Sequence, residues 1–94
     1  MTIIAAQVSL YPLGRDHLSP AIQEAVAIFH AHALSVRPGE MSTVISGDGI
    51  EVFEALREAF TRAAENGPVV MTTTISNACP VPSSPTAARP AEEQ

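Results

Sequence analysis

The sequence predicts an α+β sandwich, with four antiparallel strands in one sheet and two helices on a single face. Three observations carry this prediction. Residues 3–11 alternate, with Ile4, Ala6, Val8 and Leu10 on one side and Ala5, Gln7, Ser9 and Tyr11 on the other. That two-residue period belongs to a strand with one face on a core. Two later stretches carry apolar residues at helical spacing, each introduced by a capping signal. The resulting order is strand, helix, strand, strand, helix, strand. Two right-handed crossovers then place the first and third strands at the centre of the sheet.

Each element has a local reason. The first strand stops at Pro12-Leu13-Gly14, where Pro and Gly break the ladder, and a loop runs to Leu18. Ser19-Pro20 opens the first helix, Ser as N-cap and Pro at the first helical position. Its apolar stripe is Ile22, Ala25, Val26, Phe29 and Ala33, and the helix is expected to run to about Leu34. Residues 36–40 form a short second strand, and Pro38 assigns it to an edge because Pro cannot donate to a ladder on both sides. Met41-Ser42 turns the chain. Residues 43–46 are the third strand, ended by Gly47.

Asp48 caps the second helix, with Glu51 three positions on in a capping-box arrangement. Val52, Phe53, Leu56, Ala59, Phe60 and Ala63 form its expected buried stripe. Glu54, Glu58 and Arg62 fall opposite, as a solvated face with a Glu58–Arg62 pair. Asn66-Gly67-Pro68 stops the helix. Residues 69–76, VVMTTTIS, make the fourth strand. Residues 1–78 are thus one domain. Residues 79–94 carry four prolines among small and charged residues and are expected to form a disordered tail.

Composition narrows the function. The chain has 94 residues, 46% apolar and 16% charged, with a formal charge of −5. One small domain with so few charges has low-charge surface to cover, which raises the expectation of oligomerisation. The five basic residues are scattered, which argues against nucleic acid and anionic membrane as partners. A neutral or cationic small molecule is easier to accept. The single cysteine, Cys79, permits no internal disulfide. The opening MTIIAAQVSL lacks a basic leader, and its apolar run is too short to span a bilayer. A cytoplasmic location is expected.

The candidate site follows from the topology. Pairing of the first and last strands sets Gln7, Ser9 and Tyr11 beside Thr72, Thr74 and Ser76 on the uncovered face of the sheet. These two strands contribute hydroxyl and amide groups there and no charge. Two readings fit: a ligand surface, or a polar face of good strand formers covered by a partner subunit. Thr43, after the turn, is either a ligand contact or a turn residue. Gly14 and Gly47 serve backbone geometry. His30 and His32, two apart on a helix, point in different directions, unlike metal ligands spaced three or four apart. They read as surface residues, and Cys79 has no base to activate it.

Several segments resemble one family. SLYPLG, GEMSTVISG and a late VVMTTTIS strand after a helix ending in NG are similar to the small thiamine-binding proteins related to YkoF and the MTH1187-like family, over roughly residues 3–78. The resemblance implies a ferredoxin-like βαββαβ fold and assembly through the sheets into a homodimer or homotetramer. It implies binding of thiamine or its hydroxymethylpyrimidine moiety, with no catalysis and no other cofactor. The chain departs from the family pattern in having Met-Ser-Thr for Met-Gly-Thr, and Ser46 where a Glu often precedes the Gly. A carboxylate for the cationic ring is then missing at that position. The expected ligand-binding residues are Gln7, Ser9, Tyr11, Gly14, Thr43, Ser46, Thr72 and Thr74. Hydroxyls and amides suit an aminopyrimidine, and Tyr11 offers a ring for stacking and cation–π contact. The expected role is a vitamin carrier, buffer or sensor. The alternative is a structural or regulatory oligomerisation domain without a ligand. No nucleophile–base pair, paired carboxylates or metal set supports an enzyme.

Overall fold

The computed structural model describes residues 2–14 and 19–78. The elements are β1 (Ile3–Pro12), α1 (Ser19–Ala31), β2 (Ser35–Pro38), β3 (Thr43–Asp48), α2 (Gly49–Ala64) and β4 (Val69–Ser76). The sheet is antiparallel in the order β2-β3-β1-β4. This is the ferredoxin-like order expected, with β2 at one edge and β4 at the other. The expected tail and Cys79 lie outside the described residues, as do Arg15, Asp16, His17 and Leu18.

The core lies between the helices and one face of the sheet. Ile4, Ala6 and Val8 from β1 and Ile45 from β3 are buried with Ala25, Ile28 and Phe29 of α1 and Val52, Ala55, Leu56 and Ala59 of α2. Burial at every second position of β1 confirms the alternation read from the sequence. Leu10, Val36 and Met71 pack against this cluster from its margin.

The helices differ from expectation in four places. First, α1 ends at Ala31, not near Leu34. Ala33 takes φ 60, its amide bonds to the His30 carbonyl at 2.9 Å, and Leu34 is turned back into the core. Ala33 is therefore exposed, and Ile28 takes a buried place that the sequence reading missed. Second, Phe53 and Phe60 are 57% and 42% exposed. Ala55, absent from the expected stripe, is buried instead. Third, the capping box is half made. Asp48 accepts from the Glu51 amide at 3.4 Å, but the Glu51 carboxylate goes to His32. Fourth, Arg62 pairs with Glu24 of α1 at 3.1 Å and approaches Glu65 at 3.9 Å, not Glu58.

The second strand is Ser35–Pro38, so Gly39 and Glu40 belong to the following loop. Gly47 does not end β3, which continues to Asp48. Its φ is +153, and a Cβ there would lie 2.8 Å from a Leu34 methyl. Close packing of the chain after α1 therefore demands glycine at this point.

Candidate functional site

The register arranges the uncovered sheet face in rows. Ser35, Ser46, Ala5 and Ser76 share one row, and Arg37, Val44, Gln7 and Thr74 the next. Ser9 stands opposite Thr72, and Tyr11 opposite Val70. The face is thus hydroxyl-rich across β1 and β4, as expected, while β2 adds Arg37. Ser46 is 1% exposed and its hydroxyl has no hydrogen-bond partner.

β3 stops short of β1. Its last pair is Thr43 with Val8, so residues 9–12 of β1 have β4 on one side and the 39–42 loop on the other. Two β1 side chains hold that loop. Gln7 Nε2 donates to Ser42 Oγ at 3.0 Å, and Ser9 Oγ donates to the Met41 carbonyl at 3.2 Å. The loop closes on itself through the Gly39 amide, which donates to the Ser42 carbonyl at 2.7 Å. A Cβ on Gly39 would fall 2.8 Å from that carbonyl oxygen.

Between this loop, β1 and α1 lies a cavity of about 200 Å³. Val8 and Leu10 of β1 and Ile22, Ala25, Val26 and Phe29 of α1 make its walls apolar. Ser9, Tyr11, Ser42 and Thr43 also border it, and Gly39, Glu40 and Met41 complete the loop side. By register Thr43 shares the helix-covered face with Val8, whereas Ser9 and Tyr11 alternate onto the open face. Met41 is 81% exposed and Tyr11 42% exposed. An apolar recess with a few polar groups is the usual form of a small-ligand site. The volume is below the roughly 300–1,000 Å³ of pockets that enclose drug-sized ligands, so it has room for a small group only.

The cavity gathers three of the sequence-derived site residues, Ser9, Tyr11 and Thr43. Gln7 reaches the same loop by its hydrogen bond to Ser42. Thr72 and Thr74 stand beside Ser9 and Gln7 on the sheet face and do not line the cavity. Ser46 lies in the next row but one from Ser9 along the sheet. Gly14, at φ +71, follows Leu13, whose amide bonds the Pro68 carbonyl at 3.0 Å, and it does not line the cavity either. The sequence reading missed the helix wall and Glu40. The wall residues Ile22, Val26 and Phe29 do repeat at helical spacing, but such a stripe reads as core. Glu40 was assigned to a strand.

A second polar cluster sits elsewhere, between the helices. His32 Nδ1 meets Glu51 and His32 Nε2 meets Glu58, both at 2.8 Å. His32 is half-buried there rather than a plain surface residue. Carboxylates only accept hydrogen bonds, so full engagement requires a proton on both ring nitrogens. The hydrogen bonds to Glu58 and Glu51 raise the His32 pKa above its ordinary value, and the His32 hydrogen bond lowers that of Glu58. Among the described residues no three His, Cys, Asp or Glu side chains are placed to hold a metal ion. No helix among them is long and apolar enough to cross a membrane.

Fold and cavity together define a ferredoxin-like sandwich with a ligand-sized recess where β3 falls short of β1. Residues 3–82 match the model of the YkoF-related family, and the chain belongs to that family. It is 35% identical over 60 residues to the UPF0045 protein MJ1052 of Methanocaldococcus jannaschii, an alignment covering 63% of this chain and 60% of that protein. The crystal structure of MJ1052 superposes with a TM-score of 0.76 at 31% identity, over 81% of this chain and 80% of that one. A Thermotoga maritima protein, TM0486, assigned provisionally to thiamine biosynthesis or salvage, superposes with a TM-score of 0.69 over 78% of this chain and 81% of that one. At 16% identity that likeness is one of fold.

Proposed function

We propose that this protein binds thiamine, or its hydroxymethylpyrimidine moiety, without transforming it, and serves as a carrier, buffer or sensor in the cytoplasm. The observation that carries this reading is the apolar recess rimmed by Ser9, Tyr11 and Thr43. An aminopyrimidine ring needs apolar walls for its faces and hydroxyl or backbone partners for its amino group and ring nitrogens. Tyr11 stands at the strand end, where a ring can stack on it. Membership of the YkoF-related family and the thiamine-linked assignment of TM0486 support the same reading. The uncharged β1–β4 face suits packing against a second sheet, so the working form of this proposal is a homodimer or homotetramer. A non-catalytic role fits a recess bordered by two serines whose hydroxyls are both engaged, Ser9 Oγ donating to the Met41 carbonyl and Ser42 Oγ accepting from Gln7 Nε2.

Thermal unfolding with thiamine, its phosphates and hydroxymethylpyrimidine tests the proposal. Binding to the folded state alone raises Tm saturably, by mass action. No shift at millimolar ligand, together with a stable oligomer in light scattering, would favour a structural or regulatory assembly domain instead.

A further inference from the structure

We propose that Glu40 makes the recess selective for unphosphorylated, cationic ligands, by standing as counter-ion at its mouth. This inference rests on the binding reading above and specifies the ligand class. Among the described residues that line the cavity, Glu40 is the one with a formal charge, and no Lys, Arg or His joins it. No ion pair or hydrogen bond engages its carboxylate among the described residues. In this it differs from Glu24, Glu51, Glu54, Glu58 and Glu65, each of which faces an Arg or His. Its position is fixed by the tight 39–42 loop, which Gln7 and Ser9 tie to β1.

The geometry separates the two parts of a ligand. The interior walls are Val8, Leu10, Ala25 and Phe29, which receive a neutral ring. The mouth carries exposed Glu40 and Met41. A positive ring appended to the neutral one meets a free carboxylate there, which attracts cations. A phosphate at the same place meets the carboxylate with no described basic side chain to offset it. Like charges disfavour it, within a chain that already carries a net charge of −5.

Calorimetric titration of the wild-type protein and Glu40→Gln with hydroxymethylpyrimidine, thiamine and thiamine monophosphate tests this. Hydroxymethylpyrimidine is neutral and reports on the recess alone. The wild type should bind thiamine more tightly than the monophosphate. Glu40→Gln should weaken thiamine by up to about fivefold, the scale of an exposed charge pair. It should leave hydroxymethylpyrimidine unchanged and narrow the gap to the monophosphate, and raised salt should shrink the thiamine effect in the wild type. Equal affinities of the two proteins for thiamine, or a loss shared equally by hydroxymethylpyrimidine, would overturn the role of Glu40 while leaving the recess as the binding site. Absence of binding by all three compounds to the wild type would overturn the binding reading and this inference with it.

Discussion

Two faces of α1 meet the rest of the molecule through opposite chemistry. On one, Glu24 takes Arg62 of α2, and just past the helix end His32 is held between two α2 carboxylates. Charges there are matched. On the other, Ile22, Val26 and Phe29 face a recess, with a loop carboxylate at its mouth that is left unmatched. A surface built for structure satisfies its polar groups, whereas a surface built for a ligand leaves room and polar groups to spare. The same helix therefore serves as scaffold on one face and as site wall on another.

Phe29 joins the two regions, and its removal should have the largest effect. It is 1% exposed and contacts both core and cavity. Phe29→Ala should cost about 3–5 kcal/mol, read as a shift in urea midpoint by circular dichroism. A loss within the about 0.5 kcal/mol usual for surface changes would mean that the recess wall is not part of the core. Gly47→Ala comes next. It brings a methyl against Leu34 at a φ that L-residues avoid, and about 1–3 kcal/mol of strain is expected by the same measurement. Phe53→Ala tests the uncovered flank of α2. With the ring more than half exposed, the loss should stay under about 1 kcal/mol. A loss matching that of Phe29 would show that this flank is covered in solution.

The smallest effect belongs to the His32 bridge and shows itself in pH dependence. A pKa raised by Glu58 and Glu51 means that the folded state holds the His32 proton more tightly than the unfolded chain. That stabilisation is complete below the ordinary value of 6.5 and is lost as pH rises through the folded value. The lowered Glu58 pKa has the opposite sign. Its contribution is present above the ordinary 4.5 and is lost as pH falls through the folded value. The bridge is therefore worth most between the two, and it weakens on the alkaline side as His32 deprotonates. His32→Gln should remove the part of the wild-type Tm decline that sets in as pH rises above the ordinary His32 value of 6.5. An identical Tm–pH curve for the two proteins would mean that the bridge contributes nothing in solution, where exposed pairs are heavily screened.

The elements most legible in the sequence were those whose pattern is local. β1 alternates over its whole length, β4 is a run of strand formers introduced by Asn-Gly-Pro, and Asp48 announces α2. Their order was enough for the topology. Less legible was whatever depends on how far one element reaches over another. Phe53 and Phe60 sit at helical spacing with Leu56, yet both are exposed. Glu58 reads as part of a solvated face and Glu51 as a capping-box residue, because their shared partner, His32, is 26 and 19 residues away in the chain. Of the site, Ser9, Tyr11 and Thr43 were visible from their place at a strand end and after a turn. The recess itself was not. It exists because β3 is shorter than β1, and a missing strand residue leaves no mark in a hydrophobic pattern.

The central claim is that the recess between α1, β1 and the 39–42 loop receives the pyrimidine ring. Titration of the isotope-labelled protein with hydroxymethylpyrimidine, followed by amide chemical shifts, tests it most directly. Saturable shifts should gather at residues 8–11, 22–29 and 39–43, and Ser35, Ser46 and Ser76 in the far row of the sheet should stay still. Shifts confined to that row and to Thr74, or no saturable shift at all, would contradict the account.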